Sequence, residues 1–108
     1  MKPSAAEKRH MGRVAALGCL VCGAPATIHH VTGFADRMGR FSRSHRLVVP
    51  LAPEYHLIQH DQMQIMSVEA LGHRGFYQEH GIDLLAEAQR LEAESVALGI
   101  LPAIRKAA

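Results

Sequence analysis

The chain reads as one α+β domain over residues 1–108, in which two short strands lead into a helix and further helices flank both ends. Three observations predict this. The length of 108 residues suits a single domain of roughly 100–150 residues. The composition, 48% apolar and 20% charged, is that of an ordinary globular chain, which excludes wholesale disorder, a collagen-like chain and a coiled-coil rod. Helical periodicity occupies both ends of the sequence, whereas the middle carries short β-prone runs.

The elements follow in order. Ser4-Ala5-Ala6-Glu7 is a capping-box pattern, in which the Ser hydroxyl accepts a backbone N–H and Glu7 reaches back. It opens a helix running to Leu17, with Met11, Val14 and Leu17 on its apolar face and Gly18 as left-handed terminator. Gly12 weakens this helix by about 1 kcal/mol relative to Ala. A tight turn, Cys19 to Gly23, precedes a β-prone stretch from Ala26 to Val31. Residues 32–45, rich in Gly, Ser and Arg, read as a loop, and Leu47-Val48-Val49 as a second strand ending at Pro50. Pro53 suits a first helical position and starts a helix to about Met63. Ser67 caps a segment through His80 that breaks or bends near Gly72 and Gly75. Asp83 caps a last helix with Leu84, Ala88, Leu91 and Leu98 on one face, ended by Gly99 and Pro102.

Charge is distributed unevenly. Residues 1–46 hold eight Lys/Arg and two Asp/Glu, a balance of +6, whereas residues 47–108 hold four and eight, a balance of −4. A basic half points to an anionic partner, with nucleic acid the leading candidate; oppositely charged faces that only confer solubility are the plainer alternative. Arg37, Arg40, Arg43 and Arg46 recur every third residue. Guanidinium groups bind phosphate bidentately, and Gly33, Gly39, Ser42 and Ser44 between them permit close backbone approach. Lys2, Lys8, Arg9 and Arg13 extend the basic surface. None of these positions carries a base-reading signature, so contact with the nucleic-acid backbone is expected. No apolar run approaches the ~18–20 residues of a membrane span, and no hydrophobic signal region opens the chain, so the expected location is the cytoplasm.

The eight histidines and two cysteines carry the chemistry. Two cysteines three positions apart, Cys19 and Cys22, cannot build a disulfide framework and suit metal or redox chemistry. His56 and His60 stand at i and i+4, one face of a helix, where two imidazoles can reach one metal ion. His29 and His30 are adjacent at the end of a strand, and strand neighbours point to opposite faces. If one of them ligates, the other does something else. His10, His73 and His80 show no partner pattern and read as surface or packing residues, whereas Phe34, Phe41, Phe76, Tyr55 and Tyr77 read as core or loop anchors.

Cys19-x-x-Cys22, His29-His30, the strand Leu47–Leu51 and Pro53-Glu54-Tyr55-His56-x-x-x-His60, in that order, resemble the HNH (ββα-metal, or His-Me finger) endonucleases. More narrowly, the chain looks like the phage recombination-enhancing, RecA-dependent nucleases, on Arg13 to Cys19, Val49-Pro50-Leu51, Phe76-Tyr77 and Gly81-Ile82-Asp83. The likeness runs from about Ala6 to Leu91. It implies a ββα-metal hairpin-helix core and metal-dependent hydrolysis of DNA phosphodiester bonds. In that pattern His30 is the base that activates water, and His29, His56 and His60 hold one divalent ion (Mg²⁺, Mn²⁺ or Zn²⁺). The implied partners are DNA and a RecA filament in a bacterial host cell, with no membrane. Imidazole chemistry agrees with these roles: a histidine of pKa near 6.5 accepts a proton from water at neutral pH.

Two positions depart from the family pattern. Many of its members carry a second CxxC before the catalytic helix, where this chain has Ala52 and Tyr55. Cys19 and Cys22 are therefore open to three readings: a relic, a half-site for a second, structural Zn²⁺ completed by histidine, or a reduced turn. The middle Asn of the HNH name is replaced by His45-Arg46, where His45 can serve as hydrogen-bond donor. A rival assignment takes Cys19, Cys22, His56 and His60 as a closed structural zinc set in a non-catalytic nucleic-acid-binding module. Its spacing of 33 residues between the pairs is far longer than the ~12 of a zinc finger.

Overall fold

The computed structural model describes residues 2–31, 45–56 and 67–103. It is a small α+β domain with the order α1 (Ala5–Ala16), β1 (Thr27–His30), β2 (Val48–Leu51), α2 (Pro53–His56), α3 (Val68–His80) and α4 (Leu84–Ala97). Arg37, Arg40 and Arg43, the continuation of the second helix to Met63, and His60 lie outside the described residues. No helix among the described residues is long and apolar enough to cross a membrane.

Local chemistry explains the helix ends. Ser4 Oγ accepts the Glu7 N–H at 3.1 Å while Glu7 Oε1 accepts the Ser4 N–H at 2.8 Å, so two orphan donors are satisfied together. Gly18 follows α1 at φ 84°, and a Cβ there would stand 2.8 Å from the Gly23 carbonyl oxygen, so both backbone conformation and space demand glycine. Asp83 accepts the Ala86 N–H and starts α4.

β1 and β2 pair antiparallel, with Thr27 opposite Leu51, Ile28 opposite Pro50, His29 opposite Val49 and His30 opposite Val48. The second strand thus runs through Pro50 rather than ending there. The Pro50 carbonyl turns away from β1 and accepts the Leu20 N–H at 3.1 Å. In a strand, N–H and C=O of one residue point the same way, so the missing donor of Pro50 falls on the outer edge and the ladder keeps every rung. All four residues of β2 are buried, with α1 and α4 packed on the strand. Val14, Val31, Val48, Val49, Leu51, Val68, Phe76, Leu84, Ala88 and Leu91 form the core.

Three details of the helices differ from the periodicity. Leu17 and Leu98, placed on the apolar faces, are 54% and 65% exposed, since each is the C-cap where its helix turns outward. The polar His10 and Ser95 are buried in their stead. Ser95 Oγ accepts from Arg13 Nε at 2.9 Å and lies 2.6 Å from His10 Nδ1, while His10 Nε2 lies 2.9 Å from the Arg46 carbonyl oxygen. A carbonyl only accepts, so His10 carries its proton on Nε2 and Ser95 donates to Nδ1. This chain of bonds joins α1, α4 and the approach to β2, and every polar group in it is paired. Within α3 the break falls at Gly72 alone, at φ 71° and ψ 171°, and Gly75 stays helical.

Candidate metal centre

The β1–β2 pairing decides where the histidine doublet points. Consecutive strand residues face opposite ways, and here His29 and His30 find separate partners. His29 meets His56, the last residue of α2, with ring centroids 5.0 Å apart in an edge-on arrangement. It also meets His73 of α3, centroids 5.4 Å apart, with the two Nε2 atoms 3.1 Å from one another. His30 instead places Nε2 3.0 Å from His45 Nδ1.

Three elements therefore bring three imidazoles together. Proline at the start of α2 opens the helix that carries His56 back beside β1. The backbone at Gly72, in a region open only to glycine, re-aims α3 immediately before His73. Thr27 orients His56. Its hydroxyl donates to the Leu51 carbonyl at 2.9 Å, so its oxygen must accept from His56 Nδ1, also at 2.9 Å. His56 then carries its proton on Nδ1 and its lone pair on Nε2, the arrangement a ligating histidine needs.

Burial, then the charges of His56, His73 and His30, push His29 down to about 4. His73 is likewise lowered by burial, against the opposing pull of Asp83. Both rings are neutral near pH 7 and offer lone pairs. Two nitrogens in one tetrahedral zinc shell, each ~2.0–2.1 Å from the ion, stand about 3.3–3.4 Å apart. The 3.1 Å between the His29 and His73 nitrogens is close to such an edge. As they stand, no three His, Cys, Asp or Glu side chains among the described residues surround a common point ready to hold an ion. The donor types nevertheless suit a transition metal. Beside His73, a cleft of about 320 Å³ is lined by Arg74, Tyr77 and Asp83, which sets one exposed cation next to the cluster.

No family model, curated protein or solved structure matches this chain.

The remaining residues singled out in the sequence are placed as follows. Cys19 is buried and Cys22 exposed, both as free thiols. Burial opposes ionisation of Cys19, but backbone N–H groups of Ala52, Cys22 and Val21 outweigh it, the last 3.3 Å from Sγ, and the thiol lies below its ordinary value. Ala52, one of the two positions where the family pattern has a second cysteine pair, thus sits over Cys19. His56 joins His29, which the Cys₂His₂ assignment leaves as a bystander.

Arg46, expected to continue the basic row, is engaged within the fold. Its Nε lies 2.6 Å from Glu92 Oε2 and another guanidinium nitrogen donates to the Pro102 carbonyl at 2.8 Å. Its side chain is only 14% exposed. His80 packs against Phe76 and Tyr55, as a packing residue should. His73, read as surface or packing, instead meets His29. The signal that could have found it is Gly72-His73-Arg74-Gly75, a histidine between two helix-weakening glycines.

Proposed function

We propose that this chain is a metal-dependent DNA endonuclease of the HNH type, built on a ββα-metal core and acting in the cytoplasm of a bacterial host. One observation carries the reading: the adjacent His29 and His30 diverge, one into an imidazole cluster shared with the helix after β2, the other to a separate partner. Hydrolysis of a phosphodiester needs this division, with a base for water on one side of phosphorus and charge stabilisation on the other. His29 and His56 would hold the divalent ion, together with His60 of the same helical pattern. When bound, that ion neutralises developing charge on the phosphate and the leaving 3′ oxygen.

His30 takes the proton from the attacking water. Its imidazole is held through Nε2 by His45, which stands where the family name has Asn and steadies the base from the loop side. Thr27 keeps His56 in the tautomer that carries its lone pair on Nε2. Arg74, and the arginines 37, 40 and 43 of the basic stretch, supply the cations for phosphate oxygens.

A supercoiled-plasmid assay with Mn²⁺ tests the reading. Nicked and linear products that disappear with chelator support it; an intact plasmid, with and without a RecA filament present, refutes it. Product only in the presence of the filament would place the chain with the RecA-dependent branch.

A further inference from the structure

The HNH pattern draws its metal ligands from the strand doublet and from the helix that follows β2. The structure adds a histidine from elsewhere in the fold. His73 lies on α3, between the Gly72 kink and the buried Phe76, and its Nε2 stands 3.1 Å from that of His29. The geometry points to His73 as a ligand of the same ion as His29 and His56, making the centre an all-imidazole site for a transition metal. The inference rests on the reading of this cluster as a metal centre.

Two physical facts support it. A contact between two ring nitrogens has only two favourable forms: one ring donates its N–H to the other, or both turn lone pairs toward a shared cation. Second, the backbone at Gly72 adopts φ 71° and ψ 171°, a conformation that costs other residues energy. Among the described residues, no atom beyond its chain neighbours and its own helix backbone lies within 4 Å of where a Cβ would stand, so they do not require glycine there for space. Backbone direction does, and the residue it redirects next is His73.

The choice of ion follows from the ligands. Magnesium prefers oxygen donors and an octahedral shell rich in water, whereas imidazole suits zinc, cobalt, nickel and manganese. An all-histidine centre therefore takes Co²⁺ or Zn²⁺ far more tightly than Mg²⁺. It also ties α3 to the hairpin, so metal binding stabilises a contact across the fold and not only within the ββα unit.

Calorimetric and optical titration with Co²⁺ of the full chain, in wild type, His56→Ala, His73→Ala and His73→Gln, tests this. The expected result is one tight site in wild type. Affinity should fall in both His73 variants by at least the roughly 10–100-fold that loss of a supporting partner costs. A wild type that binds no cobalt overturns both the metal-centre reading and the ligand. A wild type that binds, loses the ion in His56→Ala and keeps it unchanged in both His73 variants overturns the ligand alone. Because a His73 variant can lose its fold, long-range ¹H–¹⁵N spectra of wild type with Zn²⁺ supply a second measurement. His73 Nε2 should shift as a ligating nitrogen, together with His29 Nε2. An unmoved His73 resonance on saturation with zinc refutes the assignment.

Discussion

The Nε2 atoms of His29 and His73 lie 3.1 Å apart although 44 positions separate the residues. The contact joins the end of β1 to the middle of α3, and His56 lies against the same His29 ring. Around it the expected consequences of substitution are specific.

On the proposed nuclease reading, replacing His30 with Ala should abolish nicking and leave Co²⁺ binding intact. Removal of a general base costs ~10²–10⁴ in rate. His30 pairs with His45, on the other side of the strand from the His29 cluster, so Co²⁺ affinity should remain near that of wild type. Nicking at the wild-type rate by metal-loaded His30→Ala protein would dismiss His30 as the base.

Thr27→Val should weaken metal binding without touching a ligand. The Thr27 hydroxyl accepts from His56 Nδ1 and donates to Leu51, and removing it frees the ring to rotate and change tautomer. Loss of such a supporting partner lowers affinity by about 10–100-fold. Titration with Co²⁺ reads this directly, and equal affinity in Thr27→Val and wild type would show that Thr27 does not orient the ring.

Stability should fall as pH drops below the ordinary histidine value. His10 is held below its usual 6.5, first by burial and then by Arg13 and Arg46, although the Arg46 carbonyl and Glu92 act in the opposite sense. Its folded value lies below its unfolded one, so above pH 6.5 both states hold it neutral and its contribution is complete. Below that, the unfolded chain takes up the proton first and stability is lost until the folded value is passed. In the metal-free protein His29 adds to the same loss down to about pH 4. Urea unfolding at a series of pH values from about 7.5 to 4 should show a falling midpoint through this window. A flat midpoint would contradict the buried neutral ring. Ser95→Ala, which leaves His10 Nδ1 without its donor, should cost roughly 1–3 kcal/mol.

The arginines should divide into two classes. If Arg37, Arg40 and Arg43 bind phosphates, replacing all three with Gln lowers the slope of log K against log salt by about 0.9 for each phosphate no longer neutralised, similarly on unrelated DNA sequences. Arg46→Gln should behave differently, because its guanidinium is engaged by Glu92 and the Pro102 carbonyl. It should leave the salt slope near wild type and lower stability by about 1–3 kcal/mol. A salt slope reduced by Arg46→Gln in a fully folded protein would return this residue to the DNA surface.

What was legible in the sequence was local. The capping box at Ser4, the cap at Asp83, the left-handed glycines at 18 and 99 and the bend at Gly72 each depend on a few neighbouring residues, and the structure has them. Period-2 alternation likewise separates His29 from His30 whatever their partners, since it is a property of extended backbone. The edge position of Pro50 and the inward turn of Arg46 were not legible. They depend on which strand edge stays open and on where Glu92 lies across the fold. Leu17 and Leu98 misled for a related reason: helical period does not reveal that a cap residue has already left the packed face. His73 is the clearest case. No second histidine stands at i±3 or i±4 to mark it as a ligand, and only the tertiary packing of α3, which lies against α2, sets it beside His29. Sequence by itself determined the helix caps and the divergence of the histidine doublet, because backbone geometry acts over a few residues. Tertiary structure decided which imidazoles share a site, because that depends on how segments far apart in the chain pack together, which no local pattern encodes.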